Sequence, residues 1–589
     1  MSVPDRPNIV LVLTDDMGAC DLGFYGNADA RTPRLDALAA NSVRHEAFYV
    51  TPVCAPTRAA LLTGRHHLRT SVAGVHGGKD HVHLSETLLP QLLKRAGYAT
   101  GIWGKWHSGT SDGYLPHQRG FDETLLLRLY RHRDPVGQAN GGEPIPFEGR
   151  WGDDVIVEHA LDFARRHADQ PFFAMVASMT PHGRLDAPAE EIERLMREDG
   201  LTRNLATLHA QMAHLDAAIG RLVDGLNALD TGGRETILLF LSDNGPAMLE
   251  NDFTDLERDR RNNLHWRGWK GDVWEGGIRT PLFIHRIGSS DTGVIKQPAD
   301  ATDLLPTFVA WAGAEYAADQ LPLDGRDLTP MLAGEVLPEK PVYTWVHPAI
   351  PPYPNRGDSR IAQDEYGPVS PEIKSQLAAT EQVLALRQGD WKITRNADLN
   401  KPWGAEPPVF LGNVVADPLE RRNLATAAAQ QDRLQGLTGD LDAWWQGILD
   451  EPHSFSPPTL LLRAEANAWY RATATAAISN DLRNEVIAIR GFQRAGQFAR
   501  WSLHAEAART VQPKIGWWRD GTMPEGSQIV LRCSGSESIA TAAPDGSLTW
   551  SAPLDIDAGP NTLELELLRL PAPLAEPLDL FYVALEAPR

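Results

Sequence analysis

NIVLVLTDDMG, residues 8–18, is an unbroken run of leucine and β-branched side chains that stops at two aspartates. A strand with one wet face would alternate apolar and polar residues. A continuous apolar run instead predicts a strand buried on both faces, as in a parallel sheet. The same reading extends outward. TPRLDALAANS predicts a short helix with Thr32 as N-cap and Pro33 at its first position. TLLPQLLKRAGYATGIWGKWH reads as a helix, a stop at Gly97 and a strand. PFFAMVASMTPH, TILLFLSDNG and TPLFIHR read as further strands. Leu205, Leu208, Met212, Leu215, Ile219, Leu222 and Leu226 alternate spacings of three and four, which predicts an amphipathic helix. Alternating strands and helices predict an α/β sandwich around a large mixed, mostly parallel sheet.

The chain of 589 residues is too long for one ordinary domain. Residues 1–340 form the expected main α/β unit. VLALRQGDWKIT and PPVFLG then read as antiparallel strands and AAAQQDRLQGLTGDLDAWWQGIL as a closing helix, a smaller α+β subdomain over 341–452. EPHSFSPP reads as a linker. Short strands between turns, among them GQFARWSLHAEA, SQIVLRC and NTLELELLRL, predict a β-sandwich over 460–589.

With 77 acidic against 56 basic side chains, the formal net charge is −21. That argues against nucleic acid or an anionic membrane as the main partner. An anionic substrate then requires positive groups gathered in one cleft. Three separated cysteines, Cys20, Cys54 and Cys533, make no disulfide framework and suit a reducing compartment. No apolar run is long enough to span a bilayer, and Ile9 to Leu13 is too short for a signal-peptide core. The expected localisation is cytoplasmic, or periplasmic or secreted if the true start lies upstream.

Polar residues follow the carboxyl ends of the predicted strands: Asp15 and Asp16, His107, His182, Asp243 and Asn244. In open α/β sheets that edge binds ligands. Asp15, Asp16, Asp243 and Asn244 offer oxygen ligands, which suit a hard cation such as Ca²⁺ or Mg²⁺. Neighbouring aspartates on a regular strand point to opposite faces, so both reach one metal only where the strand has ended. The plain alternative is turn and cap aspartates. Arg58, Lys105, His107, His182 and Lys270 are solvated charges if taken singly. Brought together at the sheet edge, they suit a tetrahedral oxyanion beside a metal. Cys54 opens CAPTRAALLTG, where Pro56 starts a helix and Gly64 ends it. Most free cysteines are small buried fillers. A thiolate nucleophile at a helix's positive end is the chemical alternative, but it fits poorly beside an oxygen-ligated hard cation.

Cys54-Ala55-Pro56-Thr57-Arg58 matches the C-x-P-x-R signature of the type I sulfatases of the alkaline phosphatase superfamily. LTDDMG, GKWHSG, TPHG, LSDNG, WKGDVWEGGIRTP, DLLPT and DPLERRNLA resemble the family's other blocks, in the family's order, over roughly residues 5 to 450. The resemblance implies that Cys54 is oxidised by a formylglycine-generating enzyme to Cα-formylglycine, an aldehyde whose hydrate attacks sulfur. The second hydroxyl of that hydrate then permits release of sulfate. Asp15, Asp16, Asp243 and Asn244, with residue 54, resemble the ligands of Ca²⁺, with Mg²⁺ or Mn²⁺ as substitutes. Arg58 and Lys105 resemble the groups that hold the hydrate, and His107 its base. Lys105, His182 and Lys270 resemble the sulfate binders. The implied activity is arylsulfatase-like hydrolysis of a small-molecule or glycan sulfate ester. The alternatives are a phosphonate monoester or phosphodiester hydrolase of the same superfamily, and an inactive carbohydrate-binding protein. His347, Tyr353 and Arg356, in a long polar loop, are candidate contacts to the organic part of the substrate. Packing in the core or at an interface is the expected role of Trp501, Trp517 and Trp518, with stacking on a sugar as the alternative. An oligomer is compatible with the sequence.

Overall fold

The computed structural model describes residues 6–247, 254–261, 266–346, 374–375, 377–398, 407–464, 467–479, 482–484, 488–518, 521–572, 574 and 576–588. Among them, eleven strands form the main sheet: β1 (Asn8–Asp15), β2 (Val43–Tyr49), β3 (Ala99–Gly104), β4 (Glu123–Leu127), β5 (Val136–Ala139), β6 (Pro144–Pro146), β7 (Phe172–Pro181), β8 (Thr236–Ser242), β9 (Arg279–Arg286), β10 (Gly293–Ile295) and β11 (Ala299–Asp300). The spatial order is β10-β2-β9-β8-β1-β7-β3-β4-β5-β6, with β11 also on β2. β8, β1, β7, β3 and β4 run parallel to one another, while β9 is antiparallel to β8 and β2. The sheet is mixed and mostly parallel, as its apolar runs imply.

β1 lies at the centre and separates two cores. Ile9, Leu11 and Leu13 pack on one side with the helices Cys54–Thr63, Leu89–Arg95 and Leu304–Ala312. Val10 and Val12 pack on the other with Gly152–Arg166 and Arg203–Asn227. The period-2 alternation of a strand therefore explains why every residue of this run is apolar. All seven periodic residues from Leu205 to Leu226 are buried, as their spacing predicts. The helix over Pro33–Ala40 has its expected proline, but Thr32 makes no capping bond. The carboxylate of Asp216, from the helix Arg203–Asn227, accepts from Arg34 N at 3.2 Å and Leu35 N at 2.7 Å instead. A tertiary contact has replaced the local cap.

A four-stranded antiparallel sheet follows: Val342–Val346, Val383–Gln388, Trp391–Arg395 and Val409–Asn413, with the helix Gln431–Leu449 packed on it. Two further, mostly antiparallel sheets share one core over residues 459–586, the β-sandwich expected from the alternating strands. Trp501 is wholly buried in that core and donates from Nε1 to Ala472 O at 2.9 Å. Of the two readings of Trp501, packing within the sandwich is the one the structure shows. Trp517 lies against Phe492 and Trp518 against Phe581. Among the described residues, no helix is long and apolar enough to cross a membrane.

Lys392 ties the four-stranded sheet to the main unit. Its ammonium is fully buried, 3.1 Å from Glu275 and 3.0 Å from Glu420. Tyr49 donates to Glu275 at 2.6 Å, and Glu275 N donates to Glu420 at 2.7 Å. Burial, opposed by Lys392 and reinforced by Glu275, pushes Glu420 up to about 7. Lys392→Met should leave two carboxylates facing each other in a dry site. The expected loss is about 3–5 kcal/mol, read as a lower urea or thermal midpoint; an unchanged midpoint would refute this role.

Candidate active site

The carboxyl ends of β1, β3, β7 and β8 deliver the polar residues to one place. β1 ends at Asp15, and Asp16 takes a left-handed backbone, φ 68°. That turn lets adjacent carboxylates serve one site, as the sequence reading requires. His107 also has positive φ, 56°. Such conformations in non-glycine residues concentrate at functional sites. Cys54 is the first residue of a completely buried helix, which Gly64 ends at φ 68°. Thr57 Oγ1 accepts from Thr51 N at 2.9 Å, fastening the approach to that helix.

Each cation has a carboxylate. Lys105 Nζ donates to Asp15 Oδ2 at 2.6 Å. Arg58 donates from Nε and Nη2 to Asp243 Oδ2, at 3.0 and 2.7 Å, and from Nη1 to Lys105 O at 3.1 Å. Lys270 Nζ donates to Asp16 Oδ1 at 2.6 Å, and His182 Nε2 lies 3.6 Å from Asp16 Oδ2. Burial works against the Asp15 carboxylate, but Lys105, His182 and Arg58 outweigh it and hold Asp15 far below the usual carboxylate range. Asp243 goes the other way. Burial and the Asp15 charge, opposed by Arg58, push it up to about 8.

These residues fit a hard cation. Asp15, Cys54 and Asp243 bring ligand atoms within 4.8 Å of one another, and so do Asp15, Asp16 and His182. Asp15 Oδ1 and Asn244 Oδ1 are buried with no hydrogen-bond donor. Oxygens left in that state strongly favour a partner; the oxygens of Asp15, Asp16, Asp243 and Asn244 are the ligand type Ca²⁺ or Mg²⁺ takes, whereas the Cys54 sulfur and the His182 nitrogen of these groups are not. The raised Asp243 has the same origin, more carboxylate in a dry site than it tolerates without further positive charge.

His107 faces Cys54, with Nδ1 3.3 Å from Sγ. Its Nε2–H donates to Val75 O at 2.9 Å, which makes Nδ1 the unprotonated nitrogen of the neutral ring. Burial, helped by Lys105, holds the imidazole down to about 4. His182 Nδ1 donates to Gly183 O at 2.6 Å, so Nε2 is presented to the site.

Three neighbours were not legible in the motifs. His132 Nε2 donates to His182 O at 2.8 Å, and the Tyr130 ring lies 4.8 Å from that of His182. The buried Asp153 accepts from Ser178 and Thr180, both at 2.6 Å, and steadies the end of β7 ahead of His182. They sit in loops or helix starts with no distinctive local pattern. The structure thus brings together Asp15, Asp16, Cys54, Arg58, Lys105, His107, His182, Asp243, Asn244 and Lys270. His347, Tyr353 and Arg356 lie outside the described residues.

The family model described as Sulfatase matches residues 7–314. N-acetylgalactosamine-6-sulfatase of Sus scrofa is 32% identical over 374 residues, 58% of this chain and 68% of its own. Arylsulfatase A of Homo sapiens is 33% identical over 370 residues, 57% of this chain and 69% of its own. The solved structure of Ps i-CgsB in complex with k-i-k-neocarrahexaose shares the fold, with TM-score 0.62 at 24% identity over 76% of this chain and 94% of that one.

Chelator-treated protein should gain thermal stability when a divalent cation is restored. At a hundredfold excess over Kd the gain is about 2.7 kcal/mol, a rise in midpoint that Asn244→Ala should diminish by removing one ligand oxygen. No shift with Ca²⁺, Mg²⁺ or Mn²⁺ would exclude a cation at this cluster.

Proposed function

Because the chain belongs to the sulfatase family and is a sulfuric ester hydrolase, we propose that it cleaves sulfate monoesters at residue 54, matured to Cα-formylglycine, beside a Ca²⁺ ion. The products are an alcohol or phenol and inorganic sulfate. Asp15, Asp16, Asp243 and Asn244, with residue 54, would hold the cation. The observation that carries this reading is the placement of Cys54. It opens a buried helix between His107 Nδ1 and the carboxylates of Asp15 and Asp243.

When bound, the cation supplies Lewis-acid polarisation of oxygen. The formylglycine hydrate supplies a nucleophilic hydroxyl with a second hydroxyl for product release. The protein's own groups do the rest. His107 Nδ1, unprotonated at neutral pH, takes a proton from residue 54, while Val75 O keeps the ring oriented. Lys105 and Arg58 offset negative charge at residue 54 from fixed, buried positions. Lys270 Nζ reaches the site from the Asp16 side, where it would bind sulfate and donate to the leaving oxygen; His182 Nε2 reaches it from the same side and would donate there only when the ring carries both protons. Arg58, Lys105 and Lys270 match Asp15, Asp16 and Asp243 in number, so a divalent cation leaves the pocket net positive. This local excess answers the overall charge of −21. A formylglycine-generating enzyme is the maturation partner this reading needs.

Protein from a host able to form formylglycine should yield a residue-54 peptide carrying an aldehyde in place of the thiol. It should hydrolyse an aryl sulfate faster than a phosphonate monoester, and Cys54→Ala should abolish turnover. An intact thiol in fully active protein, or a preference for the phosphonate, would overturn the proposal. His107→Ala should lower kcat by about 10²- to 10⁴-fold, the usual range for loss of a proton-transfer group.

A further inference from the structure

We propose that the carboxy-terminal β-sandwich is a positioning element for His107, acting through Gly78, Ser111, Asp112 and Tyr114. The inference rests on the reading of His107 as the proton acceptor at residue 54. The ring is held from behind by Val75 O, at the start of the loop over residues 75–82. That loop is closed on itself by Lys79 N donating to His76 O at 3.1 Å and by His81 N donating to Gly78 O at 3.4 Å. It meets the segment that follows His107 where Val82 N donates to Ser108 O at 3.5 Å. Neither loop belongs to a strand or a long helix; within the main unit, Ala73 N donates to Lys79 O at 2.9 Å and Ser71 Oγ to His81 O at 3.0 Å, and Trp106 Nε1 donates to Tyr114 O at 3.0 Å.

The sandwich adds a second set of contacts to the same loops. Asp112 N donates to Trp469 O at 3.1 Å, and the Asp112 carboxylate accepts from Trp469 N. Tyr114 OH donates to Thr459 O at 2.8 Å and accepts from Thr459 N at 2.9 Å. Ser111 Oγ accepts from Arg471 N at 3.2 Å and lies 3.4 Å from His81 Nε2, whose Nδ1 is 3.0 Å from Asp80 Oδ1. Gly78 rests against the turn after Arg471, where a Cβ would fall 2.9 Å from Thr473 O. The main unit and the sandwich thus exchange backbone hydrogen bonds at the loops that carry and back His107. Small misplacements of a reacting group lower rate steeply, about 10²-fold for 1 Å, so these contacts bear on kcat.

The test uses full-chain Asp112→Ala and Tyr114→Phe, the second a loss of one hydroxyl. Each is measured for thermal midpoint, for formylglycine content by mass spectrometry, and for kcat and KM on an aryl sulfate. Expected is a fall in kcat per modified site of about 10- to 100-fold, with KM nearly unchanged. Asp112→Asn, which keeps an acceptor for Trp469 N–H, should recover most of the rate. A lower midpoint with kcat per modified site unaltered in both variants would overturn the proposal, because the interface would then serve folding alone. A raised KM with kcat intact would overturn it as well. Loss of sulfate-ester hydrolysis in the unaltered, modified chain would overturn the functional reading together with this one. An active unaltered chain with unaffected variants overturns only this one.

Discussion

Two wholly buried cations, Arg58 and Lys105, make the sheet edge what it is. Neither can be left alone in a dry interior, and neither can the carboxylates of Asp15 and Asp243. Their pairing lets four charged strand-end and helix groups occupy one small volume. The pairing does not close the account of charge. Asp243 stays raised and two oxygens stay without donors, as residues able to hold a cation would show in its absence. The same interaction explains why a strongly acidic protein can act on an anion. The positive groups are concentrated where the acids are already neutralised, while the remaining acidic residues are spread elsewhere.

Around this cluster the fold is a means of rigid delivery. β1 is apolar on both faces because a helical layer covers each side, and it places Asp15 at the end of a strand that cannot move without unpacking two cores. The helix starting at Cys54 is buried along its whole length, so the residue at its head inherits the rigidity of the core. The Lys392–Glu275–Glu420 cluster plays a corresponding part on another side. It pins the segment after Lys270 to the four-stranded sheet through contacts that exclude water. The sandwich holds the loops behind His107. Each of these candidate site groups is therefore braced by an element other than its own, as a site needs when its geometry governs rate.

Much of this was legible in the chain. The strands announced themselves as apolar runs ending in acids, the long helix as a three-and-four spacing, and the sandwich as short strands between turns. Those signals are local, since side-chain period depends only on neighbouring backbone. The strand-end motifs placed Asp15, Asp16, His107, His182, Asp243 and Asn244 at one sheet edge, and the family resemblance added Cys54, Arg58, Lys105 and Lys270 to them. Other features were beyond reach. Thr32 looked like a cap, but Asp216, distant in sequence, holds that helix end.

By itself, then, the sequence determined the α/β architecture, the β-sandwich, the strand-end acids and the cysteine at a helix start. Periodicity, turn residues and motif order encode these without reference to distant parts. Only the tertiary structure decided which partner each charge takes: Lys105 with Asp15, Arg58 with Asp243, and Lys270 with Asp16. It also decided that Val75 orients His107 and that Asp112 meets Trp469. Such pairings join residues tens to hundreds of positions apart. They follow from burial, which forces every buried polar group to find a partner among whatever the fold brings within reach.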